Sequence, residues 1–280
     1  MRRLLFGLAF LSLSSLGFAQ KKTDYTIVRS LVKEAKEKGN MKLMDSLAQS
    51  YISNYLFKLK KEELYTKENL NFMGDFLSSE DSKAFKVFKN EPEKVNAVLG
   101  VYQAQNKIMD FINKKYLPQG DFKKMDRPDW DALEKMVSAK FGALGQEIVW
   151  GQRMVYHWIL KDNWSSFAKY YVLYFQRGLK HPRYHINNIS WYGVFEHVND
   201  PKVLEFSTQV MQYALENYNQ NDAACYDTYA NLLYKAGHKE KAIEWEERAV
   251  KLSNNDKSIV ETLEKMRNNL PTWPVVTNNL

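Results

Sequence analysis

Between residues 25 and 268 the apolar side chains recur at three- and four-residue steps, and almost no stretch alternates at the two-residue step of a strand. That pattern restricts the chain to the all-α class. The chain has 12 Gly and 7 Pro in 280 residues. Few breakers mean few tight turns, which favours helices over many short strands. The spacing predicts helices over 25–38, with Ile27, Val28, Leu31, Val32 and Ala35 at helical spacing and Gly39 as the stop, and over 41–62, capped by Asn40. Thr66 and the 79–81 segment cap two shorter ones, and Pro92 opens a long helix expected to reach about Tyr116. Residues 117–127 carry Pro118, Gly120 and five charges, and read as a loop and soft boundary. It separates an N-terminal helical region (20–120) from a second one (121–270). In the latter, helices are expected at 128–141, 144–160, 164–178, 184–198, 201–218, 223–236, 239–252 and 257–268, followed by an extended tail at 271–280. Connections this short make sequence neighbours antiparallel hairpins.

The first 19 residues have a different character. Arg2 and Arg3 precede an apolar stretch over 4–16, and Gly17-Phe18-Ala19 ends it with small residues. This is the layout of a secretory signal peptide cleaved after Ala19, so the chain is expected to be exported, to the periplasm. The apolar stretch is short for a membrane span, and stable membrane insertion is not expected. The formal charge of +7 is spread over short, separated Lys pairs rather than gathered on one face, which argues against a nucleic-acid partner. The one cysteine, Cys225, cannot form an internal disulfide, so the core must hold the fold.

An internal period overlies the helices. Trp130 and Trp164 lie 34 residues apart, each preceded by a capping residue (Asp129, Asn163) and followed three later by Leu133 or Phe167. Trp191 and Tyr226, and Ala214 and Ala249, are each 35 apart. A helical period near 34 is that of stacked helix pairs. Residues 223–256, AACYDTYANLLYKAGHKEKAIEWEERAVKLSNND, show the unit best. Ala230 and Ala242 are small where two helices cross, and Gly237 permits the turn between them.

This segment resembles a tetratricopeptide repeat. Tyr226, Tyr229-Ala230, Gly237, Ala242, Ala249 and Leu252 stand at the motif's aromatic, small, turn and apolar positions. Asn254 replaces the usual terminal proline, and Glu246 stands where an aromatic is common. Three stretches, 68–100, 161–175 and 226–252, resemble the helical region that follows the thioredoxin domain in exported thioredoxin-family proteins of Bacteroidota-type bacteria. The resemblance implies an all-α fold of antiparallel helix pairs stacked as a right-handed, tetratricopeptide-like solenoid, in an exported setting. It does not imply redox activity, because the Cys-x-x-Cys pair and its strand-rich domain are lacking from the sequence.

On these residues the expected function is a non-catalytic, cofactor-free scaffold of the cell envelope that binds a protein or peptide. If the first helix of each pair faces the concave side, the binding positions are Gln152, Arg153, Tyr156, Tyr192, Glu196, Asp227, Asn231 and Tyr234. Two other functions stay open: an accessory to a separate thioredoxin-family protein, and an envelope hydrolase using paired carboxylates on a helical scaffold. His181 and His185 have a spacing that can bind a metal on a helix, but no carboxylate lies close in sequence to complete the shell. Glu244, Glu246 and Glu247, interleaved with Lys239, Lys241, Arg248 and Lys251, read as ion pairs on a wet helix face.

Overall fold

The computed structural model describes residues 27–274. The signal peptide expected at 1–19 and the end of the tail lie outside them. Among the described residues the protein is all-helical, with no strand. No helix among them is long and apolar enough to cross a membrane. The chain forms two compact units that meet in sequence at Ser78 and Ser79. The loop at 117–127 falls inside the second.

The first unit contains α1 (Val28–Glu37), α2 (Met41–Asn54), α3 (Lys61–Leu64) and α4 (Lys67–Asp75). α1 buries Val28, Val32 and Ala35 on one stripe against α2. Asn40 accepts from the Leu43 N–H and Thr66 from the Asn69 N–H, so both caps fill a donor that the first turn leaves open. α2 stops at Asn54 and a 3-10 turn, Leu56–Lys58, follows, so the long stripe expected through residue 62 is broken. Its Leu56 is fully buried and fixes the bend.

The second unit holds α5 (Lys83–Asn90), α6 (Pro92–Leu99), α7 (Gln103–Tyr116), α8 (Trp130–Leu160), α9 (Trp164–Gly178), α10 (Ile186–Ile189), a π-helix (Ser190–Phe195), α11 (Pro201–Asn217), α12 (Ala223–Lys235), α13 (Lys239–Leu252) and α14 (Lys257–Arg267). The helix expected over 92–116 is divided at Gly100 and Tyr102, both left-handed (φ 110° and 64°). α8 likewise breaks at Gly142, whose φ of 60° and ψ of −136° only glycine adopts without strain. Ser82, not the 79–81 segment, caps α5 by accepting from the Phe85 N–H.

From α8 onward most helices pack on a sequence neighbour: α8 on α9, α11 on α12, α12 on α13, α13 on α14. α9 and the π-helix add contacts to α11. Their shared core is aromatic. Phe167, Tyr171, Tyr174, Phe175, Phe195 and Tyr229 are each under 2% exposed. Burying a phenol requires a partner for its hydroxyl. Tyr171 Oη lies 2.9 Å from Ser190 Oγ, and Tyr174 Oη accepts from the Arg183 N–H at 2.9 Å. Ala230, Ala242 and Ala249 are wholly buried where α12 and α13 approach closely. Ala242→Leu is therefore expected to overpack that crossing and destabilise the fold by roughly 1–3 kcal/mol. A melting temperature unchanged from the parent would show that this seam is not close-packed.

Candidate functional site

The residues expected to line one groove fall into three groups. Gln152 is buried and donates from Nε2 to the Pro118 carbonyl at 2.7 Å. Tyr156, 3% exposed, sets its ring edge-on to Phe122 and Trp130, at 5.4 and 5.3 Å. Arg153 donates to Asp131 at 2.6 Å and lies 4.4 Å over the Tyr170 ring. These three hold the chain's own 117–131 segment. Asp227 and Asn231 face inward on α12: the Asn231 amide donates to Asp227 Oδ1 at 2.9 Å, and Asn231 is wholly buried. Tyr234 sets its ring 5.9 Å from Trp273 of the tail. Tyr192 and Glu196, of the eight, line one cavity together.

That cavity is built by local sequence. α8 ends at Lys161, which closes it in the left-handed conformation (φ 54°), with its N–H on the His157 carbonyl at 2.9 Å. Asn163 then caps α9 by accepting from the Ser166 N–H. The tight turn presents Trp158, Ile159 and Lys161 on one side. Opposite lies the π-helix, a rare wide turn concentrated at functional sites. Gly193 allows it: the turn presses against the Phe167 ring, leaving no room for a Cβ. The widened turn turns Tyr192 outward, 51% exposed, while Trp191 folds back to within 4.6 Å of Phe195. The resulting cavity, about 340 Å³, is lined by Lys123, Trp158, Ile159, Lys161, Tyr192 and Glu196.

A second cavity, about 370 Å³, begins at the next residue. Its lining includes Trp164, Ser165, Lys169, His197 and Asp200. Trp164 and His197 stack face to face, 3.8 Å apart at 12°. Burial on the indole lowers the pKa of His197, with Lys161 and Lys235 adding to it against the opposing pull of Glu196. His197 is thus neutral at pH 7, and the stack is apolar. The Asp200 carboxylate accepts from the N–H groups of Lys202 and Val203, so its charge serves the α11 N-terminus. Lys123 and Lys161 make no ion pair among the described residues. The two cavities together offer flat aromatic faces, free ammonium donors and a carboxylate acceptor. These are groups for holding a ligand. Trp158, Lys161, Trp164 and His197, which line these cavities, are not among the expected groove residues, although the 34-residue spacing of Trp130 and Trp164 had marked one of them.

Most of the remaining chemistry-bearing residues have structural partners. His185 caps α10 by accepting from the Asn188 N–H, and His157 Nδ1 lies 3.0 Å from Asp162. His181 lies tilted against Tyr102, ring centroids 4.5 Å apart, and approaches the buried Glu147 at 3.5 Å, but the two are a pair, and no group of three metal-ligating side chains forms among the described residues. Burial pushes the Glu147 carboxyl up to about 7 despite nearby Arg177 and Arg183. Glu244 and Glu247 pair with Arg248 and Arg267, at 2.5 and 2.9 Å. Glu246 corrects the wet-face reading: it is wholly buried on α13, between Ala242 and Ala249, with its carboxyl against Asp227. Its place at helical spacing between Ala242 and Ala249 was the available signal.

Cys225 is buried, with its Sγ donating to Asp222 at 3.4 Å. Burial first, then the Asp222 charge, pushes its thiol up to about 12. A thiol–disulfide cycle needs a thiolate to attack and a second thiol to resolve. Purified protein is therefore expected to reduce insulin disulfides with dithiothreitol no faster than its Cys225→Ala variant; a Cys225-dependent rate would contradict this. Comparisons with protein-family models, curated proteins and solved structures found no match to the chain.

Proposed function

We infer that the chain is a non-catalytic binding scaffold of the cell envelope, whose helix pairs stack as a right-handed, tetratricopeptide-like array and hold an extended peptide or protein segment. The observation that carries this reading is the cleft at the α8–α9 turn, where a π-helix turns Tyr192 into solvent beside Trp158 and two unpaired lysines. Aromatic residues with an exposed face anchor peptide side chains at little entropic cost. The sequential packing of α11 to α14 and the buried alanines at the α12–α13 crossing support the repeat geometry. The signal-like first 19 residues support export.

Asp227 and Glu246 bring forward the hydrolase alternative, because adjacent carboxyls are the equipment of general acid–base catalysis. Glu246 is wholly enclosed by the helix crossing, however, and the two cavities are lined by other residues. The pair therefore serves the fold. Probing an array of random peptides with the labelled protein tests the scaffold reading. Tyr192→Ala leaves the core untouched and is expected to remove most of the bound spots. Spots retained at parental intensity would contradict binding at this cleft.

A further inference from the structure

We propose that the cleft beside the π-helix selects an acidic peptide segment, one that sets a side-chain carboxylate next to an apolar side chain. The inference rests on the peptide-binding reading above and names the chemistry of its ligand.

The argument is one of complementary groups. Trp158 and Tyr192 give the cavity two aromatic faces, and the exposed face of Tyr192 has no protein covering it. Apolar surface left open in this way favours an apolar side chain of the ligand. Lys123 and Lys161 line the same cavity, and neither has a carboxylate partner among the described residues. Glu196 is the single carboxylate in the lining, so the cavity holds two ammonium groups against one carboxylate. The adjoining cavity extends the pattern. Lys169 lines it beside the Trp164–His197 stack, while the charge of Asp200 is already taken up by two backbone N–H groups at the start of α11.

Across the two linings three lysines stand against two carboxylates, and a basic segment would meet Lys123, Lys161 and Lys169 at close range. Glu196 does not oppose this assignment. An extended segment carries backbone N–H donors with no internal partner, and a half-buried carboxylate is a strong acceptor for one of them. Each lining group thus has a counterpart: ammonium with side-chain carboxylate, indole and phenol with the apolar neighbour, Glu196 with the backbone. The left-handed backbone at Lys161 fixes where its side chain leaves the α8–α9 turn, which sets the spacing between the charged and apolar subsites.

The test compares fluorescently labelled peptides of equal length in acidic–apolar, neutral–apolar and basic–apolar series, by anisotropy at low and high salt. The acidic series is expected to bind most tightly and to weaken as salt rises. Lys123→Glu and Lys161→Asn are each expected to weaken it by about tenfold. Asn is chosen at 161 because it tolerates the left-handed conformation. Lys123→Glu should also gain affinity for the basic series, a result that misfolding cannot produce. Equal binding of all three series, or tighter binding of the basic one, would overturn the acidic assignment and leave the peptide-binding reading standing. Binding of an acidic oligosaccharide such as oligogalacturonate in preference to every peptide would overturn it as well. If no series binds the parent protein, the peptide-binding reading fails and this inference with it.

Discussion

Replacing Glu246 by Gln is expected to raise the melting temperature at pH 8 and to flatten its dependence on pH. Glu246 is wholly buried, and neither carboxyl oxygen has a donor among the described residues. Its neighbour across the α12–α13 crossing is Asp227, which already accepts from Asn231 at 2.9 Å. Burial, then the Asp227 charge, drives the Glu246 carboxyl far above the usual carboxylate range. Burial also raises Asp227, with Asn231 and Glu246 as hydrogen-bond partners drawing it back. The folded protein therefore keeps a proton on Glu246, which donates it toward Asp227. The unfolded chain releases that proton near pH 4.5, the ordinary value for this group. With the folded pKa raised, the stabilising contribution is complete below that value. It is lost progressively as pH rises through the neutral and alkaline range toward the folded pKa. Gln donates from its amide without having to retain a proton. The gain is expected to be about 2 kcal/mol at pH 8 and close to nothing at pH 4. Thermal melts of both proteins across this range check it; a Glu246→Gln protein that melts lower than the parent at pH 8 would show that the buried carboxyl is ionised and partnered.

The larger loss should come from Gly193→Ala. A Cβ at this position would lie 2.2 Å from Cζ and 2.7 Å from Cε1 of Phe167. Phe167 is wholly buried and packs against Trp164 and Tyr171, with centroids 5.6 and 6.0 Å away, so its ring has nowhere to retreat. Either the ring is forced off its rotamer or the π-helix slides outward. The expected cost is about 3 kcal/mol, the upper part of the range for overpacking. The same displacement moves Tyr192 and Glu196, which flank the glycine on one turn, and should weaken ligand binding beyond what the stability loss accounts for. Melting and binding measured on one sample separate the two effects. A variant with parental stability would show that the π-helix does not depend on this contact.

Much of the fold was legible because it is written in local rules. Asn40, Thr66, Asp129, Asn163 and Asp200 each cap the helix that their position in the sequence announces. Gly237 takes the positive φ (95°) that the α12–α13 turn requires. What escaped is set by contacts distant in sequence. Residues 184–198 read as one ordinary helix. The structure instead has four residues of α10 followed by the π-helix, because Phe167, from α9, selects the wider turn at Gly193. The expectation for Glu246 failed similarly. Its charged neighbours suggested solvent, while Ala242 and Ala249, at helical spacing on either side, placed it in the seam. The concave-face assignment assumed that each first helix is open. In the structure Gln152 and Tyr156 hold the 117–131 segment, and Tyr234 meets Trp273. Loop and tail packing of this kind leaves no periodic signal in the sequence.

Hydrogen exchange of the protein, free and saturated with an acidic–apolar peptide, tests the central claim most directly. The account predicts slowed exchange in the last turn of α8, the α8–α9 turn and the segment 190–197, with α13 and α14 unchanged. Protection confined to α12 and α13, or exchange unaltered throughout by a peptide shown to bind, would contradict it.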